Sequence, residues 1–217
     1  MYDLALGLHA CVVGETPILL DENSGRYFLI RGETGEQLTR HLRSSAEPSD
    51  ERILLQKRLI ERVDTRGTLD RKIAFCPPCH SYESDRDTSI SGRLMVHAAV
   101  AQLNARLQIR RWPRENLFTK IRKLSAVAIA EKRSRARVTE AQIARTFHLL
   151  QFIIPSTDQC LARSIAIAQM LFRSGHHPSV VVGVQLPIAG HCWVQCHDRV
   201  VGDTLERVRA FQPIFAT

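Results

Sequence analysis

Three residues of this 217-residue chain, Cys160, His191 and Asp203, have the types, order and surroundings that covalent chemistry needs. Cys160 follows Pro155-Ser156-Thr157-Asp158, a helix-entry sequence. It opens an amphipathic stretch with Leu161, Ile165, Ala168 and Phe172 on one stripe, closed by Gly175. A thiol at a helix N-terminus feels the positive end of the helix dipole, which favours the nucleophilic thiolate. His191 stands at the start of a strand-like run, and Asp203 comes 12 residues later, near the end of the next strand. Two adjacent antiparallel strands would set imidazole and carboxylate side by side, facing the helix that carries the thiol. That is the order of nucleophile, base and orienter in thioester chemistry.

The elements that must position them can be read from the pattern. Residues 179–186 (SVVVGVQL) are a β-branched run, residues 191–196 a second strand, Asp198-Arg199 a turn, and Val200-Val201 the start of a third. The C-terminal part is therefore expected to be a helix packed on an antiparallel sheet. Further helices should precede it: one through Leu94 to Leu107 stopped by Pro113, one over 117–130 and one over 140–153. At the other end, residues 8–13, 17–21 and 26–30 read as a three-stranded meander broken by turn-forming stretches at 14–16 and 21–25. Thr34 opens a helix with Leu38 and Leu42. A second, capped at Ser49 or Asp50, takes in Ile53, Leu54, Leu59, Ile60 and Val63. Strands followed by helices in so short a span point to a small winged-helix-like module over 1–75. Residues 76–92, with Pro77-Pro78 and a polar run, read as a linker.

Composition narrows the classes. Hydrophobic residues make up 44% and charged residues 24% of the chain, the balance of a globular protein. No apolar run reaches the ~18 residues that a membrane span needs. The N-terminus lacks the basic start of a secretory signal, so a cytoplasmic location is expected. Residues 1–75 hold 11 basic and 12 acidic side chains, while 106–137 hold 11 basic against only Glu115 and Glu131. The basic middle reads as a solvated helix face or as a docking surface for something anionic.

Six cysteines invite other readings. Cys76-Pro-Pro-Cys79-His80 has the spacing of a zinc half-site, and Cys192 and Cys196 could supply the rest, which would make the protein a zinc-stabilised peptide-binding scaffold. Strand alternation argues against this, since it sends Cys192 and Cys196 to one face and His191 and Trp193 to the other. No metal is therefore assigned. A winged-helix nucleic-acid binder would need a basic face, which the near-neutral first 75 residues lack.

The segments CLARSIAIAQMLFRSGHHPSVVVGVQ and GHCWVQCHDRVVGD resemble the transglutaminase-like peptidases that mature lasso peptides, the B proteins of those pathways. The resemblance falls on Cys160, Leu161, Arg163 and Ser164, then Gly183-Val184, His191, Trp193-Val194 and Asp203. Cys192, where family members more often have Ala, and Gly202 are departures. Leu19-Leu20-Asp21 and Gly25-Arg26-Tyr27-Phe28-Leu29 resemble the leader-recognition element of the same proteins. The resemblance implies an α+β fold, with a winged-helix-like peptide-recognition module over 1–75 and a papain/transglutaminase-like cysteine peptidase domain over 93–217. It implies a Cys160–His191–Asp203 triad. It also implies a leader that adds as a strand, for which Tyr27, Phe28 and Leu29 are the candidate contacts; Trp193 is read as a wall of the substrate groove. The implied partners are the precursor peptide and an asparagine-synthetase-like cyclase that closes the freed amine onto a side-chain carboxylate. No bound cofactor is expected. Some members need ATP, and since this chain has no Gly-x-x-x-x-Gly-Lys loop, that dependence is expected to belong to the cyclase. Amide crosslinking would use the same triad with a different acceptor.

Overall fold

The computed structural model describes residues 2–63, 76–82, 88–112, 117–130, 138–154 and 159–217. The sequence enters as a short strand, β1 (Tyr2–Leu4), and then a meander of β2 (Leu8–Val13), β3 (Thr16–Asp21) and β4 (Arg26–Leu29). Gly14 and Gly25 turn between its strands in the left-handed region, where a side chain would be strained. The sheet order is β2-β3-β4, so β4 has one hydrogen-bonded neighbour and a free outer edge among the described residues. Helices α1 (Gly32–Leu42) and α2 (Pro48–Gln56) follow. Glu47 and Asp50 form a capping box at the start of α2. Arg40 then clamps Asp50 through two bonds of 2.8 and 2.7 Å, tying α1 to α2.

The second helix is shorter than its apolar pattern predicts. Arg58 takes a positive φ of 57°, and residues 60–62 leave the helix as β5 (Ile60–Arg62), antiparallel to β1. The alternative ladder to β1 wins because it buries Ile60 with Leu19, Leu38 and Leu54 in a small core of their own.

Between Gly92 and Cys160 the described elements are helices. They are α3 (Gly92–Arg111), α4 (Leu117–Ala130) and α5 (Glu140–Leu150). Ser91 caps α3, and Thr139 with Gln142 forms a capping box on α5. Then come α6 (Cys160–Arg173), β7 (Ser179–Gln185), β8 (Ala189–Cys196), β9 (Arg199–Val201), the short α7 (Leu205–Arg209) and β10 (Gln212–Ala216). The sheet is larger than the three strands the sequence predicts. β10 adds beside β7, and β6 (His80–Ser81), from the stretch read as a linker, lies parallel to β9, giving the order β10-β7-β8-β9-β6. Polar bonds hold β6 there: the Cys79 N–H donates to the Asp198 carbonyl at 2.8 Å and the Gln195 amide to the Cys76 carbonyl at 2.7 Å.

Helix α6 buries Ile165, Ala166, Ala168 and Leu171 against this sheet and against α3 and α5. Cys11, Ile18 and Leu20 of the meander join the same core as Phe118, Ile214 and Phe215, so the first strands pack directly on the C-terminal part. Glu22 reinforces that junction, bonding His9 at 3.0 Å and Arg122 of α4 at 3.2 Å.

Candidate active site

Cys160 is the first residue of α6, where backbone N–H groups have no intrahelical acceptors. Its thiol lies within hydrogen-bonding reach of the His191 ring and of the Cys192 and Leu161 backbone N–H groups. Burial pushes this thiol up, but the His191 bond and those N–H groups outweigh it and bring it below the ordinary thiol value.

His191 sits near the start of β8, opposite Gly183 of β7. Its Nε2 lies 2.6 Å from Asp203 Oδ2. Burial drives the imidazole down, but the Asp203 bond, the Cys160 bond and both charges win, raising it to about 9. Asp203 occupies the turn between β9 and α7. Its other oxygen accepts from the Thr204 N–H at 2.9 Å, and Thr204 caps α7. Burial raises this carboxyl, yet the bond to His191 outweighs it and holds it below the usual range. The three residues named from sequence order therefore meet as thiol, imidazole and carboxylate in one cleft.

The neighbouring side chains explain why the arrangement is stiff. Ser164 donates from its hydroxyl to the Cys192 carbonyl at 2.8 Å, fixing α6 to β8 one turn after the thiol. Arg163, 9% exposed, donates to the carbonyls of Phe147 at 2.9 Å and Gly202 at 3.0 Å. It thus ties α6 to the end of α5 and to the residue just before Asp203. Gly202 has φ +76°, which favours glycine, and a Cβ there would also have to displace the end of the Ile167 side chain, 2.7 Å away. From sequence a local salt bridge is the default for Arg163, and the structure corrects it to a steadying role. Its two carbonyl partners define that role, and their long sequence separation hides them from local pattern.

Trp193 lines the cleft but is only 2% exposed. Its ring stacks on His191 with centroids 6.2 Å apart, its indole N–H donates to Gln195 at 3.1 Å, and it packs with Val181, Val200 and Val208. It backs the imidazole from the core rather than presenting its face as a groove wall. Gly183 makes room for it, since a Cβ there would meet the indole at 2.7 Å.

The three residues read as leader contacts separate by strand alternation. Phe28 points outward from β4 and is 42% exposed, whereas Tyr27 and Leu29 pack on the main core. The Tyr27 hydroxyl lies 3.8 Å from where a Cβ on Gly190 would stand, beside the strand that carries His191. Burial, then the nearby Cys192 and Cys160, push this phenol up to about 12.

Cys192 and Cys196 are buried in the core and Cys76 and Cys79 are exposed. Among the described residues no three His, Cys, Asp or Glu side chains stand close enough to hold a metal ion, so the zinc reading lacks a convergent donor set. Sequence reasoning misses Tyr82, Arg145, His148 and Arg207 of the cleft lining, which come from three places in the chain: the residue after β6, helix α5, which carries both Arg145 and His148, and helix α7.

With this geometry in hand, the comparison with known families is direct: residues 99–216 match the transglutaminase-like superfamily, and the chain belongs to it. That superfamily includes cysteine peptidases and acyltransferases. No curated protein and no solved structure matches the chain.

Proposed function

We propose that the protein is a cysteine peptidase that removes the leader from a ribosomally made lasso-peptide precursor. The observation that carries the reading is the contact of a helix-start thiol, Cys160, with an imidazole that Asp203 holds from its far side. Its supports are superfamily membership, the Cys-Leu-x-Arg-Ser and His-x-Trp-Val patterns, and the free edge of β4 with Phe28 outward.

In this reading residues 1–75 form the leader-recognition module, and the leader docks on β4 by strand addition. The chain to be cut runs on into the cleft. The Cys160 thiolate attacks the scissile carbonyl carbon, and the backbone N–H of Cys160 stabilises the resulting oxyanion. As the C–N bond breaks, His191 gives its proton to the departing amine, the new N-terminus of the core peptide. His191, neutral again, takes a proton from water, which attacks the thioester and frees the leader as a carboxylate. Asp203 keeps the imidazole in the tautomer and orientation that both steps use. A partner cyclase, with any ATP dependence, then closes the amine onto a side-chain carboxylate. Among the described residues no helix is long and apolar enough to cross a membrane.

The test is mass spectrometry of the precursor encoded beside this chain, incubated with the protein, the cyclase and ATP. Wild type should release an intact leader. Cys160→Ala should release none while still binding the precursor, and equal cleavage by both would end the proposal.

A further inference from the structure

The cleft that holds Cys160 has a one-sided charge. Among the described residues its lining contains a single carboxylate, Asp203, already engaged with His191. Against it stand three guanidinium groups. Arg163 is spent on the carbonyls of Phe147 and Gly202. Arg145 and Arg207 are not: among the described residues neither guanidinium makes an ion pair or a hydrogen bond. Arg145 projects from α5, with His148 three residues on along the same face, and Arg207 comes from α7 on the Asp203 side. Arg207 feels the charges of Asp203 and Arg163, Arg145 shares the same concave lining, and a bound anion would offset the excess of positive charge there. The guanidinium fork matches a carboxylate in shape as well as charge.

We propose that Arg145 and Arg207 form a carboxylate-recognition subsite, so that the preferred substrate carries an Asp or Glu side chain within a residue or two of the bond attacked by Cys160. A side chain is the source because, before the cut, the substrate runs through the cleft as an unbroken chain and has no terminal carboxylate there. The inference rests on Cys160 being the nucleophile and deepens that reading by naming the substrate chemistry.

Two thiol reagents of nearly equal size test it without any knowledge of the substrate. Iodoacetate carries the carboxylate and iodoacetamide does not; each forms an S–C bond at the thiolate and expels iodide. Rates at Cys160 are followed by peptide mapping, which separates it from the exposed Cys76 and Cys79, and are compared with the same rates for 2-mercaptoethanol. In wild type the iodoacetate-to-iodoacetamide ratio at Cys160 should exceed that of 2-mercaptoethanol, and added salt should reduce it. In the Arg145→Gln/Arg207→Gln double variant the ratio should fall about threefold or more, and Arg145→Lys/Arg207→Lys should restore part of it. A ratio unchanged in the Gln variant would assign the selectivity to the His191 imidazolium alone and overturn the subsite. Failure of both reagents to label Cys160 in wild type would remove the nucleophile itself, and the subsite with it.

Discussion

Around Cys160, side chains are fixed by buried partners: His191 by Asp203, Arg163 by two carbonyls, Ser164 by the Cys192 carbonyl and Trp193 by Gln195. Along the outer side of β4, by contrast, the backbone edge is unpaired among the described residues and Phe28 stands 42% exposed. A reaction centre needs geometry paid for in advance, since misplacement by an ångström is costly to rate. A strand-addition surface needs the reverse, an edge whose donors and acceptors are free until the peptide arrives. The two regions are not isolated. Tyr27 faces β4's own core side and reaches toward Gly190, next to the His191 imidazole.

Substitutions can break or sharpen that contrast. Asp203→Asn should have the largest effect, a loss of kcat/KM of about a hundredfold or more with leader affinity unchanged. The pH profile adds a sign. In wild type the working form is bounded below by the lowered Cys160 thiol and above by His191, so activity should fall as pH rises through about 9. The His191–Asp203 pair likewise contributes stability that is full below the ordinary imidazole value of 6.5 and lost through about 9. Asparagine removes the carboxylate charge that raises His191, so the falling limb should move to lower pH. A limb left at about 9 would detach the imidazole from Asp203.

Arg163→Met should come next, lowering stability by about 2–3 kcal/mol in denaturant unfolding, since two buried carbonyls lose a charged donor. It should also lower kcat more than it raises KM, because the Gly202–Asp203 turn loses its anchor. The smallest effect belongs to the docking edge: Phe28→Ala should weaken leader binding about tenfold in titration, with kcat at saturating peptide unchanged. If Phe28→Ala instead lowered kcat while leaving affinity intact, the division of labour between edge and cleft would be wrong.

How much of this the sequence carried differs by region for physical reasons. Cys160, His191 and Asp203 were legible because a helix start, a strand and a turn each have a local signature, and the motif around them is dense. The meander was legible from its turn residues. β5 was not, because Ile60 fits both a helical stripe and a strand, and only pairing with β1 decides between them. β6 was not, since two residues beside prolines have no periodicity to read. The same limit hid the partners of Arg163 and the sharing of one cleft by Arg145 and Arg207, which depend on packing between elements far apart in sequence. Tyr27 was grouped with Phe28 and Leu29 by motif, but alternation along β4 sends it and Leu29 inward.

The most direct measurement is intact-protein mass spectrometry of a single turnover, quenched in acid within the first seconds after precursor is mixed with the protein, the cyclase and ATP. The account predicts a transient adduct on the peptide containing Cys160, equal to the leader's mass less one water, which disappears as free leader accumulates. Leader release with no adduct at any quench time, and at an undiminished rate in Cys160→Ala, would contradict it.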